Sequence, residues 1–558
     1  MRWSPQIHTM LTTLALVLGT LAMPLVEAGE DNSQNKILTQ PQAKTKTPFQ
    51  LPPVDLDKSA SDDQTVFLNV VQFRGNTVVS TDQLNAIATP YLGRNIQYHD
   101  LEELRQKLSR YYLDLGYVNS GVLNDGEPID GVMHFKVIEG QLTAINVKGL
   151  ENLHPRYVTQ RLSKSNDGPF NVDVLRERFQ LLLADPLFQR MNARLLPGAN
   201  PGEAILDIEV LRARPYQLQL FANNYRPPSI GSNAVGMDYS YRNLTGYGDL
   251  LGANVQSGPE FNGDTRATLS WYMPVGYAGS KISLVIDRGS SAVTEQPTAV
   301  LDIRSKLSSD DVGFSHSLLE NLNQKLSIGI NYIRRENRST LLGVPYSFTP
   351  NEVDGITKEQ LWRCWQDFSY RTPVQLIALR SSFTVGHNNL HNIAGLPAID
   401  SPSNSYRLWL GQAQWTRQIQ DNGAQLQIRA TVQRSSDHLL ALDGLSVGGV
   451  NTVRGYRENQ LVRDQGAYLN IEYDYPALEN FGSRLSLNLI PFIDLGSAHN
   501  RGSASTSLSS VGLAGKLRWS DFTLEFALAK RLKKNPAFTN TDTNLQDKGV
   551  HLQLSTKY

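Results

Sequence analysis

The sequence is nearly without cysteine: Cys364 stands alone among 558 residues, so no intramolecular disulfide forms and no covalent framework holds the fold. It also lacks a net charge. Lysine plus arginine and aspartate plus glutamate both number 53, which leaves no field to attract a nucleic acid, and none is expected as a ligand. After the amino terminus it lacks any uninterrupted apolar run of the roughly 20 residues that a membrane helix requires. That excludes a helical span but not a β-barrel, whose strands leave a much weaker signal. No P-loop pattern occurs. His387 and His391 have i, i+4 spacing but lack the glutamate of a zinc motif. No metal, cofactor or enzymatic activity is expected.

The amino terminus is readable. Arg2 and His8 precede a largely apolar stretch over 10–26, and Val26-Glu27-Ala28 offers a cleavage site, so residues 1–28 are expected to be a signal peptide. Residues 29–65 are polar and proline-rich and read as a linker. Within it, 31–44 is at most a weak helical plug segment, interrupted by Pro41.

Two similar modules follow, over 66–140 and 141–212. The first predicts a strand over 66–73, a turn at Gly75-Asn76, a short helix from Thr81 and a second helix from Asp100, with Glu103 as a capping-box partner. Leu101, Leu104, Leu108, Tyr111 and Leu115 recur at helical spacing, and Gly116 stops the helix. Strands follow over 118–123 and 132–138. The second module repeats the order: a strand over 142–147, Gly149 in the turn, a helix over 156–162, a helix from Val172 and strands over 188–195 and 204–210. Strand, helix, helix, strand, strand, twice, is the order of POTRA (polypeptide-transport-associated) domains.

From 213 to 558 helical spacing gives way to strict alternation. Val235, Met237, Tyr239 and Tyr241 alternate with Gly236, Asp238, Ser240 and Arg242; Leu426, Ile428, Ala430 and Val432 alternate with Gln427, Arg429, Thr431 and Gln433. The pattern runs through about sixteen segments of roughly ten residues, the length that crosses a bilayer at a tilt. An even number of such strands closes into a barrel with no unpaired edge. The links alternate too: long ones such as 289–307, 337–359 and 387–405, short ones such as 244–248, 274–279 and 372–374. The expected fold is therefore α+β modules followed by an all-β antiparallel transmembrane barrel.

A long link over 435–466 holds Val453-Arg454-Gly455-Tyr456. Its glycines suit a hairpin passing through a confined space better than a surface loop. Downstream lies Phe492-Ile493-Asp494-Leu495-Gly496. If Leu485, Leu487, Leu489 and Ile493 face lipid, then Ser486, Asn488, Phe492 and Asp494 face the lumen, where Asp494 needs a cation. Arg454 is the candidate, since its planar fork suits a carboxylate; a solvated turn arginine and an ordinary lumenal aspartate remain the alternative. Gly444-Leu445-Ser446-Val447-Gly448 matches a nucleophile pattern, but a helix should follow the serine and none is expected.

Together, the signal peptide, the two modules, the barrel, Val453-Arg454-Gly455-Tyr456, the Phe492–Gly496 string and Asn243-Leu244-Thr245-Gly246-Tyr247-Gly248-Asp249 in an early turn resemble the transporter component of two-partner secretion systems. That family lies within the superfamily of POTRA-barrel translocators and assembly factors. The resemblance implies that Arg454 pairs with Asp494 and that Tyr558 is an aromatic signal read by the barrel-assembly machinery. It also implies that the modules sit in the periplasm beneath an outer-membrane barrel in contact with lipid. The cargo would be a large secreted exoprotein, recognised unfolded through its amino-terminal secretion domain. An assembly factor of the same superfamily, which usually carries more POTRA modules, is the alternative; a diffusion porin would explain neither the modules nor the loop.

Overall fold

The computed structural model describes residues 49–50, 65–163, 168–261, 264–276, 279–390, 401–480, 484–533 and 544–558. The expected signal peptide and weak plug segment lie outside the described residues. The chain forms two compact units, one over Gln42–Pro215 and one whose described part lies within Tyr216–Tyr558.

In the first unit, helices Thr81–Ala88 and Tyr98–Asp114 accompany a sheet in which Val70–Arg74 runs parallel to Val132–Ile138. Gly121–Asn124 pairs antiparallel with the latter. Leu84, Leu104, Leu108, Tyr112 and Phe135 are fully buried between these layers. Each such side chain contributes roughly 1.5–3 kcal/mol by leaving water. The single strand expected over 66–73 is broken at Asn69, because the N–H groups of Asn69 and Val70 both donate to the Gly131 carbonyl (2.7 and 3.1 Å). Thr65–Leu68 thereby splits off to pair with Arg94–Gln97.

The second helix begins before the predicted Asp100. Asp100 is the capping partner rather than the cap, its carboxylate accepting the Gln97 N–H at 2.9 Å. Glu103 pairs instead with Lys107 one turn on, at 2.8 Å. At the other end Tyr112, not Leu115, completes the buried face; Leu115 lies beyond the last helical residue and is 43% exposed.

The second module repeats this plan. Gln141–Lys148 runs parallel to Glu203–Arg212, which pairs antiparallel with Phe188–Pro197, and helices Arg156–Ser163 and Val172–Leu183 bury Val158, Leu162, Leu175 and Phe179. Phe49–Gln50 adds a short parallel strand beyond Phe188–Pro197. The modules meet at Asn171. Its Oδ1 accepts from the Asp173 N–H (2.9 Å) to cap the last helix, while its Nδ2 donates to the Leu115 carbonyl of the first module (3.0 Å).

The second unit is a closed antiparallel barrel of 16 strands, from Tyr216–Asn223 to Val550–Lys557, with a two-residue strand, Val344–Pro345, added at one hairpin. The first and last strands pair from Gln219↔Lys557 to Asn223↔Gln553. Side chains alternate as the pleat requires. On Leu485–His499, Ile493 and Leu495 are 46% and 43% exposed, while Phe492 and Asp494 between them are buried.

The long links are shorter than the sequence predicts, because strands continue into them. Ser280–Ala292 pairs with Arg304–Glu320 up to Ala292↔Arg304. The outward residues of Arg304–Glu320 explain why: Val312 and Phe314 form an apolar belt, whereas exposed Arg304 and Lys306 continue the alternation with charge. Those polar ends extend the sheet past the hydrocarbon thickness without any hydrophobic signal.

Candidate functional site: a loop folded into the barrel

Residues 436–464 turn back into the lumen. Leu445–Val447 and Leu461–Arg463 pair as a small hairpin, and Leu445, Val447, Val453, Tyr456 and Leu461 pack with Ala498 and Leu508 of the barrel wall. Gly448 and Gly449 adopt φ of +115° and +107°, which ordinary residues rarely reach, so the chain reverses there. Gly496 on the wall leaves room for this packing. A Cβ there would come within 2.5 Å of Val447 Cγ1 and 2.8 Å of Val453 Cγ2.

Arg454 sits at the centre of this contact. Its Nε and Nη2 donate to the two carboxylate oxygens of Asp494 at 2.8 and 2.7 Å, and its backbone N–H adds a third bond at 3.0 Å. The fork geometry fixes the loop in angle as well as distance. Asn470 Nδ2 donates to Asp494 Oδ1 (2.7 Å) and to the Thr452 carbonyl. The guanidinium also lies over the Phe492 ring, 3.5 Å from its centroid. The structure therefore brings Val453, Arg454, Gly455, Tyr456, Phe492, Asp494 and Gly496 into one cluster. Tyr558 lies apart from it, at the closing seam, where its N–H donates to the Leu218 carbonyl (2.8 Å).

Several partners carry no motif of their own. Glu472, on the strand next to Asp494, accepts from Arg454 Nη1 at 2.8 Å and from Arg429 at 2.8 Å. Its register opposite Phe492 was the available signal, since that places it on the lumenal face. Gly455 donates its N–H to His551 Nε2 (3.2 Å) and accepts from Arg531 Nε (2.5 Å). The Tyr456 hydroxyl lies within hydrogen-bond distance of the Ser509 and Lys533 carbonyls. Arg457 makes a second clamp, with Nε and Nη2 on Asp547 at 2.6 Å each and Nη1 on Glu295 at 2.9 Å. Glu458 accepts the Val450 N–H at 2.5 Å within the loop.

Ser446, from the nucleophile-like pattern, donates to Asn459 Oδ1 (2.5 Å) within the small hairpin, and the strand it occupies leads into the Gly448 turn rather than into a helix. His387 Nδ1 lies 2.9 Å from Ser405 Oγ, and His391 is outside the described residues.

A family model described as "Haemolysin secretion/activation protein ShlB/FhaC/HecB" matches residues 202–518, and one described as "POTRA domain, ShlB-type" matches 66–140. The chain belongs to the ShlB/FhaC/HecB family. It is 27% identical over 192 residues to the heme/hemopexin transporter protein HuxB of Haemophilus influenzae, a match spanning 34% of each chain. It is 21% identical over 424 residues to the outer membrane transporter CdiB of Dickeya dadantii, covering 74% of this chain and 72% of that one. Among solved structures, CdiB from Escherichia coli superimposes with a TM-score of 0.69 at 16% identity, each chain covered in full, which shows a shared fold. The barrel is thus an outer-membrane barrel with its POTRA modules on the periplasmic side.

Proposed function

We propose that this protein is the transporter of a two-partner secretion system, carrying an unfolded exoprotein from the periplasm to the cell surface through its barrel. The observation that carries the reading is the loop itself: a ShlB/FhaC/HecB-family barrel holds a folded segment inside a polar lumen by a buried, bidentate Arg454–Asp494 pair. A diffusion porin has no use for that investment, and two POTRA-like modules suit capture of an extended chain. The sheet edges at Gly121–Asn124 and Gln141–Lys148 offer backbone donors and acceptors to which an unfolded segment adds as a strand, with side-chain pockets supplying selectivity. Recognition would fall on the exoprotein's amino-terminal secretion domain. Tyr558 would serve as the signal by which the barrel-assembly machinery inserts the chain.

The test is co-expression with a large repeat protein encoded beside this gene. Export should depend on the transporter and be lost on deletion of residues 66–210. Undiminished export from the deletion would overturn the reading.

A further inference from the structure

Among the described residues, a lumenal cavity of about 830 Å³ lies between the fold-back loop, at Ser446, Asn451, Thr452 and Glu458, and the inner wall formed by strands Thr265–Val275 through Gln425–Ser435. Six arginines line it, and five have a carboxylate partner: Arg226 with Asp264, Arg266 with Asp287 (2.6 Å), Arg335 with Asp443 (2.9 Å), Arg380 with Asp367 (3.5 Å) and Arg429 with Glu472 (2.8 Å). The sixth is Arg363. Its Nε donates to Thr384 Oγ1 at 3.2 Å, and no described acceptor meets its two Nη groups. Two carboxylates whose fields reach it are engaged elsewhere: Asp311 accepts from Asn331 Nδ2 (2.7 Å), and Asp443 accepts from Arg335 and Tyr406.

The wall beside Arg363 is built flat. Trp365 lies across Gly329, where a Cβ would come within 2.3 Å of the indole, and its Nε1–H is fixed by Asn331 Oδ1 at 2.8 Å. Gly313 gives Asn331 its room, since a Cβ there would stand 2.5 Å from Nδ2. Arg380 lies over the Trp365 ring at 5.1 Å. The result is a planar aromatic surface with one open donor fork beside it.

We propose that Arg363, with Trp365 and Arg380, is a contact site for an extended polypeptide in transit, its Nη groups binding side-chain carboxylates and backbone carbonyls. This rests on the transport reading. A chain without secondary structure carries unpaired carbonyls that need donors once it leaves bulk water. A guanidinium fork beside an aromatic plane supplies them without demanding a sequence. Loose binding of this kind suits a cargo that must move on.

The experiment uses the purified full-length chain in planar lipid bilayers, with short oligoglutamate and oligolysine peptides as blockers, and Arg334→Gln on the outer face as reference. In Arg363→Gln the dwell time of oligoglutamate blocks should fall about tenfold, the loss of one charge-assisted contact. Arg363→Lys should fall between, while oligolysine blocks and Arg334→Gln stay at wild-type values. An unchanged oligoglutamate dwell time in Arg363→Gln, or an equal fall in Arg334→Gln, overturns the site. Cargo secretion is followed in parallel. A wild-type chain that exports nothing removes the transport reading while the block measurement still reports on the site. Slowed export by Arg363→Gln supports the cargo contact, and wild-type export overturns it.

Discussion

At the scale of single residues, the desolvated Arg454–Asp494 pair is one of the clamps that hold the fold-back loop, beside Arg457 on Asp547 and Glu295. Asp494 is fully buried and Arg454 is 5% exposed; removing Arg454 leaves Asp494 with no cation, and removing Asp494 leaves Arg454 only its contact with Glu472. The expected cost of Arg454→Ala or Asp494→Ala is about 3–5 kcal/mol of loop attachment, read as increased protease cleavage within 436–464 in otherwise folded barrels. Exchanging the two charges should restore little by itself, because an aspartate at position 454 would face Glu472. Adding Glu472→Gln to the exchange should improve recovery. Gly496→Val tests the packing independently, since its side chain would overlap Val447 and Val453. We expect roughly 1–3 kcal/mol of overpacking strain and the same protease sensitivity, with Arg454 and Asp494 intact. Strand alternation in the sequence aims Asp494 inward and makes Arg454 a candidate partner; the family resemblance is what paired the two. Pairing opposite Phe492 places Glu472 on the lumenal face, but its contact with Arg454, like those of His551 and Arg531 with Gly455, depends on how deep the loop enters and which strands it meets.

At the scale of elements, the POTRA modules were readable through helical periodicity and turn glycines, and the errors fell where hydrogen bonds, not periodicity, set the boundary. Asn69 breaks a strand because two N–H groups share one carbonyl, and Asp100 proved a capping partner within the helix it was expected to begin. Asn171 joins the modules by bonds that no pattern announces. Asn171→Ala should therefore cost about 1–2 kcal/mol in denaturant unfolding of the periplasmic unit, the loss of a helix cap, and should loosen the junction at Leu115.

A pH effect belongs at this scale too. Burial, and then the Asp185 carboxylate that accepts its hydroxyl proton at 2.6 Å, hold Tyr157 well above the usual tyrosine pKa. The folded module keeps a proton that the unfolded chain loses above about pH 10, so this contribution is whole below that pH and declines as the pH rises. Tyr157→Phe should flatten the alkaline fall in stability measured by denaturant titration; an equally steep fall would show that the hydroxyl contributes nothing to it.

At the scale of the molecule, alternation made the barrel legible because one face of each strand meets hydrocarbon and the other the lumen, and link asymmetry added which ends of the strands share a side of the membrane. Strand ends were not legible, since the outward face turns polar above the bilayer while pairing continues. In the proposed transport function, the Arg454–Asp494 pair holds the loop in the arrangement from which export proceeds. The most direct measurement is secretion of the partner exoprotein by Arg454→Ala and Asp494→Ala, with barrel insertion checked by heat-modifiable migration. Both variants should insert as barrels and export little or nothing. Wild-type export from either single variant would contradict it.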